Sequence, residues 1–486
     1  MHYYDTVISG ATVIDGLGGS SFQADIGITD DRISNISKFT DFKAHQKVDA
    51  TGLVVAPGFI DVHTHDDRVL IDEPGMLPKI SQGVTTVIAG NCGISLAPFR
   101  REDRSWDISP PGPMALLGHW NDYKYPSLAH YNAVFDAAPA ACNVANLIGH
   151  STLRASVMKE FDRAATNAEI DVMLKSLESS LSQGAIGLST GLAYPTALHA
   201  PTEEVVQLCK SLIDFGAIYT THMRNEEDKL IEAVDETIDI AMKTGADTVI
   251  SHHKCAGRAN WGNSRTTLNR ISEAQQKINL DFDFYPYTAA STILLKKFLS
   301  TSEKTTLAFS GPHPEMVGRD FFSILEEWGC SIDKAVERLS PATAIYFRMD
   351  ENELRQIMAY PGGMVGSDGL PVRRGKPHPR LWGTFPRILG HYCRKEGVLR
   401  LEDAVHRMTG KPAKVFGLRD RGEIREGAFA DIVIFNPKTV IDKATYEEPE
   451  TPAAGIERVY CNGELVWHDI AWTGARPGKR LKRITA

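Results

Sequence analysis

The stretch Leu53-Val-Val-Ala-Pro-Gly-Phe-Ile-Asp-Val-His-Thr-His-Asp-Asp67 decides how the rest of this chain is arranged. Its first half is apolar on both parities, as in a parallel strand buried on both faces, and is broken by Pro57-Gly58. Its second half delivers His63 and His65. Strand side chains repeat every two residues, so both imidazoles leave one face. Imidazoles at the end of a buried strand need protons, carboxylates or a metal to satisfy their nitrogens, and metal ligation is the natural reading.

Apolar runs of strand length recur downstream at 85–90, 143–149, 185–189, 217–221, 247–251, 280–284 and 363–367, which with the first makes eight. Between them, 168–183, 202–215, 228–244 and 264–277 carry apolar residues at three- and four-residue spacing, the mark of amphipathic helices. Alternating strands and helices predict a parallel sheet of the α/β class, and eight units predict a (β/α)8 barrel over 53–417. About 60 residues between the seventh and eighth strands, 289–344, contain helical patterns at 319–328 and 332–339, so an inserted lid subdomain is expected there. The two chain ends, 1–52 and 418–486, read instead as short strands with tight turns. Among these turns Asn462-Gly463 is a strong hairpin signal. Together the ends predict a small β-sandwich.

The 486 residues are 42% hydrophobic and 23% charged, which gives ample core for a globular protein. A formal net charge of -8 without long basic runs argues against a nucleic-acid partner, because phosphate would be repelled. No run approaches bilayer-spanning length and the N-terminus lacks a signal-peptide pattern, so a cytoplasmic location without membrane association is expected. Seven scattered cysteines lack any Cys-x-x-Cys pair, so neither a disulfide framework nor a zinc finger is indicated.

Barrel enzymes gather their chemistry at the C-terminal ends of their strands. The first strand here ends in His63 and His65, the second in Asn91-Cys92-Gly93 and the third in His150-Ser151. The fourth ends in Ser189-Thr190-Gly191, the fifth in His222, the sixth in His252-His253-Lys254, the seventh in Tyr285 and the eighth in Asp368. Among histidines with metal-ligating potential, Cys92 is better read as a thiolate ligand than as a small buried hydrophobe. Period two lets one of His252 and His253 face the barrel axis. His150 has a structural alternative as a hydrogen-bonded histidine, and Asp368 has one as a turn residue.

These motifs resemble the amidohydrolase superfamily: Pro57-Gly-Phe-Ile-Asp-Val-His-Thr-His65 and Gly422-Glu-Ile-Arg-Glu-Gly-Ala-Phe-Ala-Asp431 both follow its pattern. Gly90-Asn-Cys-Gly93, Gly187-Leu-Ser-Thr-Gly-Leu-Ala-Tyr-Pro195, Thr221-His-Met-Arg-Asn-Glu226, Ser251-His-His-Lys254, Gly366-Ser-Asp-Gly-Leu-Pro371 and His378-Pro-Arg-Leu-Trp-Gly-Thr-Phe-Pro-Arg387 narrow the resemblance to the D-aminoacylase (N-acyl-D-amino-acid deacylase) branch. The resemblance implies a zinc-dependent hydrolase of N-acyl-D-amino acids. A tightly bound Zn2+ would be held by Cys92, His222 and His252, and a weaker second site by His63 and His65. Asp368 would be the proton-transfer group and Tyr285 an oxyanion donor, with Tyr194 or His253 as further donors. Arg380 is implied as the anchor for the substrate carboxylate, with Arg224 and Lys254 as competing cations.

The family's side-chain pocket borrows from the segment that starts at Ser291. In that segment Ile293, Leu294 and Leu295 suit neutral, hydrophobic side chains, which are the expected preference; the alternative is an inward Lys296 or Lys297, which would favour acidic ones as in N-acyl-D-glutamate or N-acyl-D-aspartate deacylases. A cyclic-amide hydrolase of the hydantoinase or dihydroorotase type is the rival enzyme class, and a scaffold that has lost its ligands is the non-enzymatic one. The expected partner is a small-molecule substrate, and the oligomeric state is left open.

Overall fold

The computed structural model describes residues 2–38, 42–100 and 109–484. Eight parallel strands form the barrel: β1 Phe59–Asp61, β2 Val84–Ala89, β3 Asn143–Gly149, β4 Gly187–Gly191, β5 Ile218–His222, β6 Thr248–Ile250, β7 Leu280–Phe284 and β8 Gly363–Val365. They pair in sequence order from β1 to β8. Ile60, Ile88, Leu147, Ile218, Val249 and Met364, from six of these strands, share one buried cluster, which only the inside of a ring can provide. On the outside, Phe59, Val87, Phe282 and Phe284 pack against helix residues such as Phe385 and Ile271.

The helices form where the apolar spacing places them. Asn167–Ser182 is entered through Thr166, whose side chain accepts from the Glu169 N–H while Glu169 reaches back, a reciprocal cap. Thr202–Lys210, Leu230–Thr244 and Ser264–Ala274 follow.

Both chain ends join one nine-stranded sheet. In it Ile432–Phe435 pairs with Val54–Pro57, and Ile8, Ile26 and Ile33 share a core with Ile432, Ile434 and Tyr460. Asn462 and Gly463 both have positive φ, as the hairpin turn between Ile456–Cys461 and Glu464–His468 requires. The apolar run 54–62 is therefore two strands, not one. Val54–Pro57 belongs to the end sheet and the chain enters the barrel at Phe59, so the expected boundary at 53 falls at the Pro57-Gly58 break. Gly58 is needed there because a Cβ would lie 2.2 Å from Thr85 Oγ1.

The insertion is a subdomain with its own core. Ala289–Ile293, Lys304–Ser310 and Ala342–Phe347 form an antiparallel sheet, backed by Phe321–Trp328 and Ile332–Leu339. Among the described residues no helix is long and apolar enough to cross a membrane.

Candidate metal centre

The strand ends converge on Cys92. Its Sγ lies 3.2 Å from His63 Nε2, 3.3 Å from His252 Nε2 and 3.7 Å from His222 Nδ1, and all four residues are buried. Asp368 completes the group, with Oδ1 3.3 Å from His65 Nε2 and 3.6 Å from His63 Nε2. Ligand atoms of His63, Cys92, His252 and Asp368 lie within 4.8 Å of one another, and those of His222, Glu226 and His252 form a second such group. His222 and His252 of one expected ligand set and His63 of the other therefore meet at one thiol, while His65 meets Asp368. Cys92, His252 and Asp368 have φ of 52°, 38° and 49°. Non-glycine residues hold such angles only where their surroundings over-determine them, and such positions concentrate at functional sites.

The histidines are aimed from behind. Glu226 Oε1 lies 2.9 Å and Lys254 Nζ 2.7 Å from His252 Nδ1, so this edge of the ring is engaged from behind and Nε2 is the atom that faces Cys92. Lys254 Nζ neutralises the same carboxylate at 2.6 Å. Burial opposes the charge of Glu226, but Lys254, His222 and His252 hold its carboxyl well below the usual range. Asp283 Oδ1 accepts from the His252 backbone N–H at 2.9 Å, and its Oδ2 lies 3.4 Å from His63 Nδ1. Burial raises the Asp283 carboxyl to about 7.

These donors fit a divalent cation of the zinc class: thiol, imidazole and carboxylate atoms in two close, largely buried groups that share His252. Burial and then Asp368 push the Cys92 thiol up, and burial pulls His63 down to about 3. Burial lowers His222 and His252 as well, which favours the neutral ring that ligation requires, and the thiol needs a cation to ionise.

Arg380 is fully buried, with Nη1 2.9 Å from Asp368 Oδ2 and Nη2 donating to the Ser291 carbonyl at 3.1 Å. Its guanidinium lies 4.6 Å from the Tyr285 ring centre, and Lys254 Nζ lies 5.5 Å from it. The Tyr285 hydroxyl is buried without a hydrogen-bond partner among the described residues. Burial opposes the Asp368 charge, but Arg380 and the histidines hold its carboxyl well below the usual range. The Tyr194 ring lies tilted against His222 at 4.8 Å between ring centres, and its hydroxyl bonds Thr292 Oγ1 at 2.9 Å.

Three expected substrate contacts are engaged elsewhere. His253 turns away from the centre to Thr267 Oγ1 at 2.9 Å and packs on Phe282, because His252 occupies the inward position. Arg224 is tied to Glu236 at 2.7 Å and to the carbonyls of Leu198 and Ala200. Lys254 is committed to Glu226. His150 is structural, 2.9 Å from Glu204 Oε1.

Glu226 and Asp283 went unassigned in the sequence, although Asp283 carried a signal. In 280–284 the apolar residues Leu280, Phe282 and Phe284 sit on the outer parity, which leaves Asp283 on the inner one.

Known proteins are similar to this chain along nearly its whole length. A D-aminoacylase of Alcaligenes xylosoxydans xylosoxydans is 47% identical over 99% of this chain and 98% of its own length. A solved D-aminoacylase, described for one-metal activation and second-metal attenuation of its binuclear centre, superposes with a TM-score of 0.95 at 45% identity, covering 99% of this chain and 100% of the other. The N-acyl-D-glutamate deacylase of Bordetella bronchiseptica, solved with zinc and a phosphonate mimic of the tetrahedral intermediate, superposes with a TM-score of 0.93 at 42% identity, covering 99% of each chain. The amidohydrolase family model matches residues 46–304 and 337–467, and with the cysteine-centred strand ends this leads to one conclusion: the chain belongs to the amidohydrolase family.

Proposed function

We propose that this chain hydrolyses the amide bond of N-acyl-D-amino acids, releasing a carboxylate and a free D-amino acid. The observation that carries the reading is the convergence of Cys92, three histidines and Asp368, with Arg380 beside them. Cys92, His222 and His252 would hold a zinc ion tightly, and His63 and His65 a weaker second one. Bound there, zinc supplies Lewis acidity, which acidifies water and polarises the acyl carbonyl.

The remaining steps belong to the chain's own groups. Asp368, kept ionised, accepts the proton of the attacking water at a carboxylate oxygen and passes it to the departing nitrogen, since an amide anion is too poor a leaving group. The Tyr285 hydroxyl donates to the developing oxyanion. Arg380 offers a planar guanidinium to the substrate carboxylate. An arriving carboxylate competes with Asp368 for Arg380, which returns basicity to Asp368 once substrate is seated.

The test is amine release from N-acetyl-D- and N-acetyl-L-amino acids and from a hydantoin, with zinc measured on the same preparation. Turnover restricted to the D-series with about one zinc per chain is expected. Turnover of the hydantoin alone would move the chain to the cyclic-amide class.

A second reading, N-acyl-D-glutamate or N-acyl-D-aspartate deacylation, is supported by the lid. Lys296 points outward to Asp333 at 2.7 Å, whereas Lys297 Nζ reaches the Ala193 carbonyl at 2.8 Å, beside Tyr194 and with no carboxylate partner among the described residues. Leu294 and Leu295, which argued for neutral side chains, pack into the lid's own core with Phe298 and Leu339. Lys297→Met is expected to lower kcat/KM for acidic substrates by roughly 10- to 150-fold, the worth of one charge-assisted hydrogen bond, and to spare neutral ones. An unchanged preference would remove Lys297 from specificity.

A further inference from the structure

The barrel sheet runs from β1 to β8, and the seam between these two strands carries one isolated backbone bridge, Thr64 with Gly369. A ladder there would set how far Asp368, after β8, stands from His63 and His65, after β1. Side chains reinforce that single bridge. Lys79, on the short helix Leu77–Ile80, is fully buried. Its Nζ donates to Asp61 Oδ2 at 2.8 Å and to Ser367 Oγ at 3.0 Å, and it forms an ion pair with Asp66 Oδ2 at 3.2 Å.

Asp61 Oδ1 accepts from the Ser367 N–H at 2.8 Å, and Ser367 Oγ accepts from the Gly369 N–H at 3.0 Å. The Asp368 N–H donates to the His63 carbonyl at 2.8 Å. The seam is so close that a Cβ on Gly366 would lie 2.7 Å from the His63 Cβ. The network grips residues 367 and 369, on either side of an Asp368 held at a φ of 49°. A residue in that conformation relaxes unless its neighbours over-determine it. A buried ammonium is a poor source of stability compared with an apolar side chain, so its presence here calls for a role in placement.

We propose that Lys79 is a positioning residue for Asp368: its ammonium locks the end of β8 to the end of β1 and so aims the Asp368 carboxylate at the metal centre. This rests on Asp368 being the proton-transfer group, which Asp368→Ala tests separately.

The experiment compares Lys79→Met, Ser367→Ala and the double variant for kcat, KM, zinc content and thermal unfolding. Lys79→Met is expected to lose about 10²-fold in kcat, as misplacement of a reacting group by about 1 Å does, with KM and zinc unchanged. Ser367→Ala is expected to lose less, and the double variant no more than Lys79→Met, since groups in one network are non-additive. In Lys79→Ala, propylammonium is expected to restore part of kcat and tetramethylammonium at equal concentration none. Near-parental kcat in Lys79→Met, or additive losses, would overturn the proposal. Should Lys79→Met fail to fold, Ser367→Ala decides: reduced kcat at constant KM and zinc supports the lock, and unchanged kcat overturns it.

Discussion

Asp368→Ala is expected to keep its zinc and lose turnover by about 10²- to 10⁴-fold, the usual worth of a general acid–base group. Asp368 Oδ1 is poised between His65 at 3.3 Å and His63 at 3.6 Å, while Oδ2 is held by Arg380 at 2.9 Å. Alanine removes the proton acceptor and also the competitor for Arg380, so KM is expected to stay level or fall while kcat collapses. Steady-state kinetics with metal analysis on one preparation checks this. Near-parental turnover with full zinc would remove Asp368 from proton transfer. Zinc lost together with turnover would make it a ligand instead, which its place among the mutually close donor atoms makes a pointed alternative.

Cys92→Ala is expected to lose both tightly bound zinc and activity. Cys92 Sγ is the atom that three imidazoles approach, so its removal opens both metal positions together. Loss of a partner behind a ligand typically costs about 10- to 100-fold in metal affinity, and loss of the thiolate itself costs more. Alanine tolerates the φ of 52° no worse than cysteine, so the variant reports on ligation and not on backbone strain. Two readouts besides activity are available: zinc per chain after dialysis, and thermal unfolding with and without zinc. Added zinc stabilises a folded state that binds it, so the parent's midpoint should rise with zinc and the variant's should not. A variant that retained one zinc per chain would return Cys92 to the status of a buried hydrophobe.

Much of the architecture was legible in the residues because periodicity reports burial. Parallel strands buried on both faces read as continuous apolar runs, and the helices between them as three- and four-residue spacing, so the barrel and its lid followed from pattern. The strand-end residues His63, His65, Cys92, His222, His252 and Asp368 were legible for a related reason: the fold places strand ends together, and all six meet in the structure.

Other features had no one-dimensional signal. Val54–Pro57 and Phe59–Asp61 are one apolar run in sequence, and only pairing with Ile432–Phe435 shows that the first half belongs to the end sheet. Arg224 and His253 stand beside ligands in the chain, yet Glu236 and Thr267 claim them.

The amino-acid order by itself determined the fold class, the donor types and their arrival at strand ends, since each follows from local pattern. Which histidine faces inward, which of Lys296 and Lys297 turns outward and which carboxylates lie behind the histidines were decided only in the tertiary structure. Those choices depend on long-range partners such as Glu226, Asp283 and Asp333, and the chain encodes them through packing geometry and not through spacing.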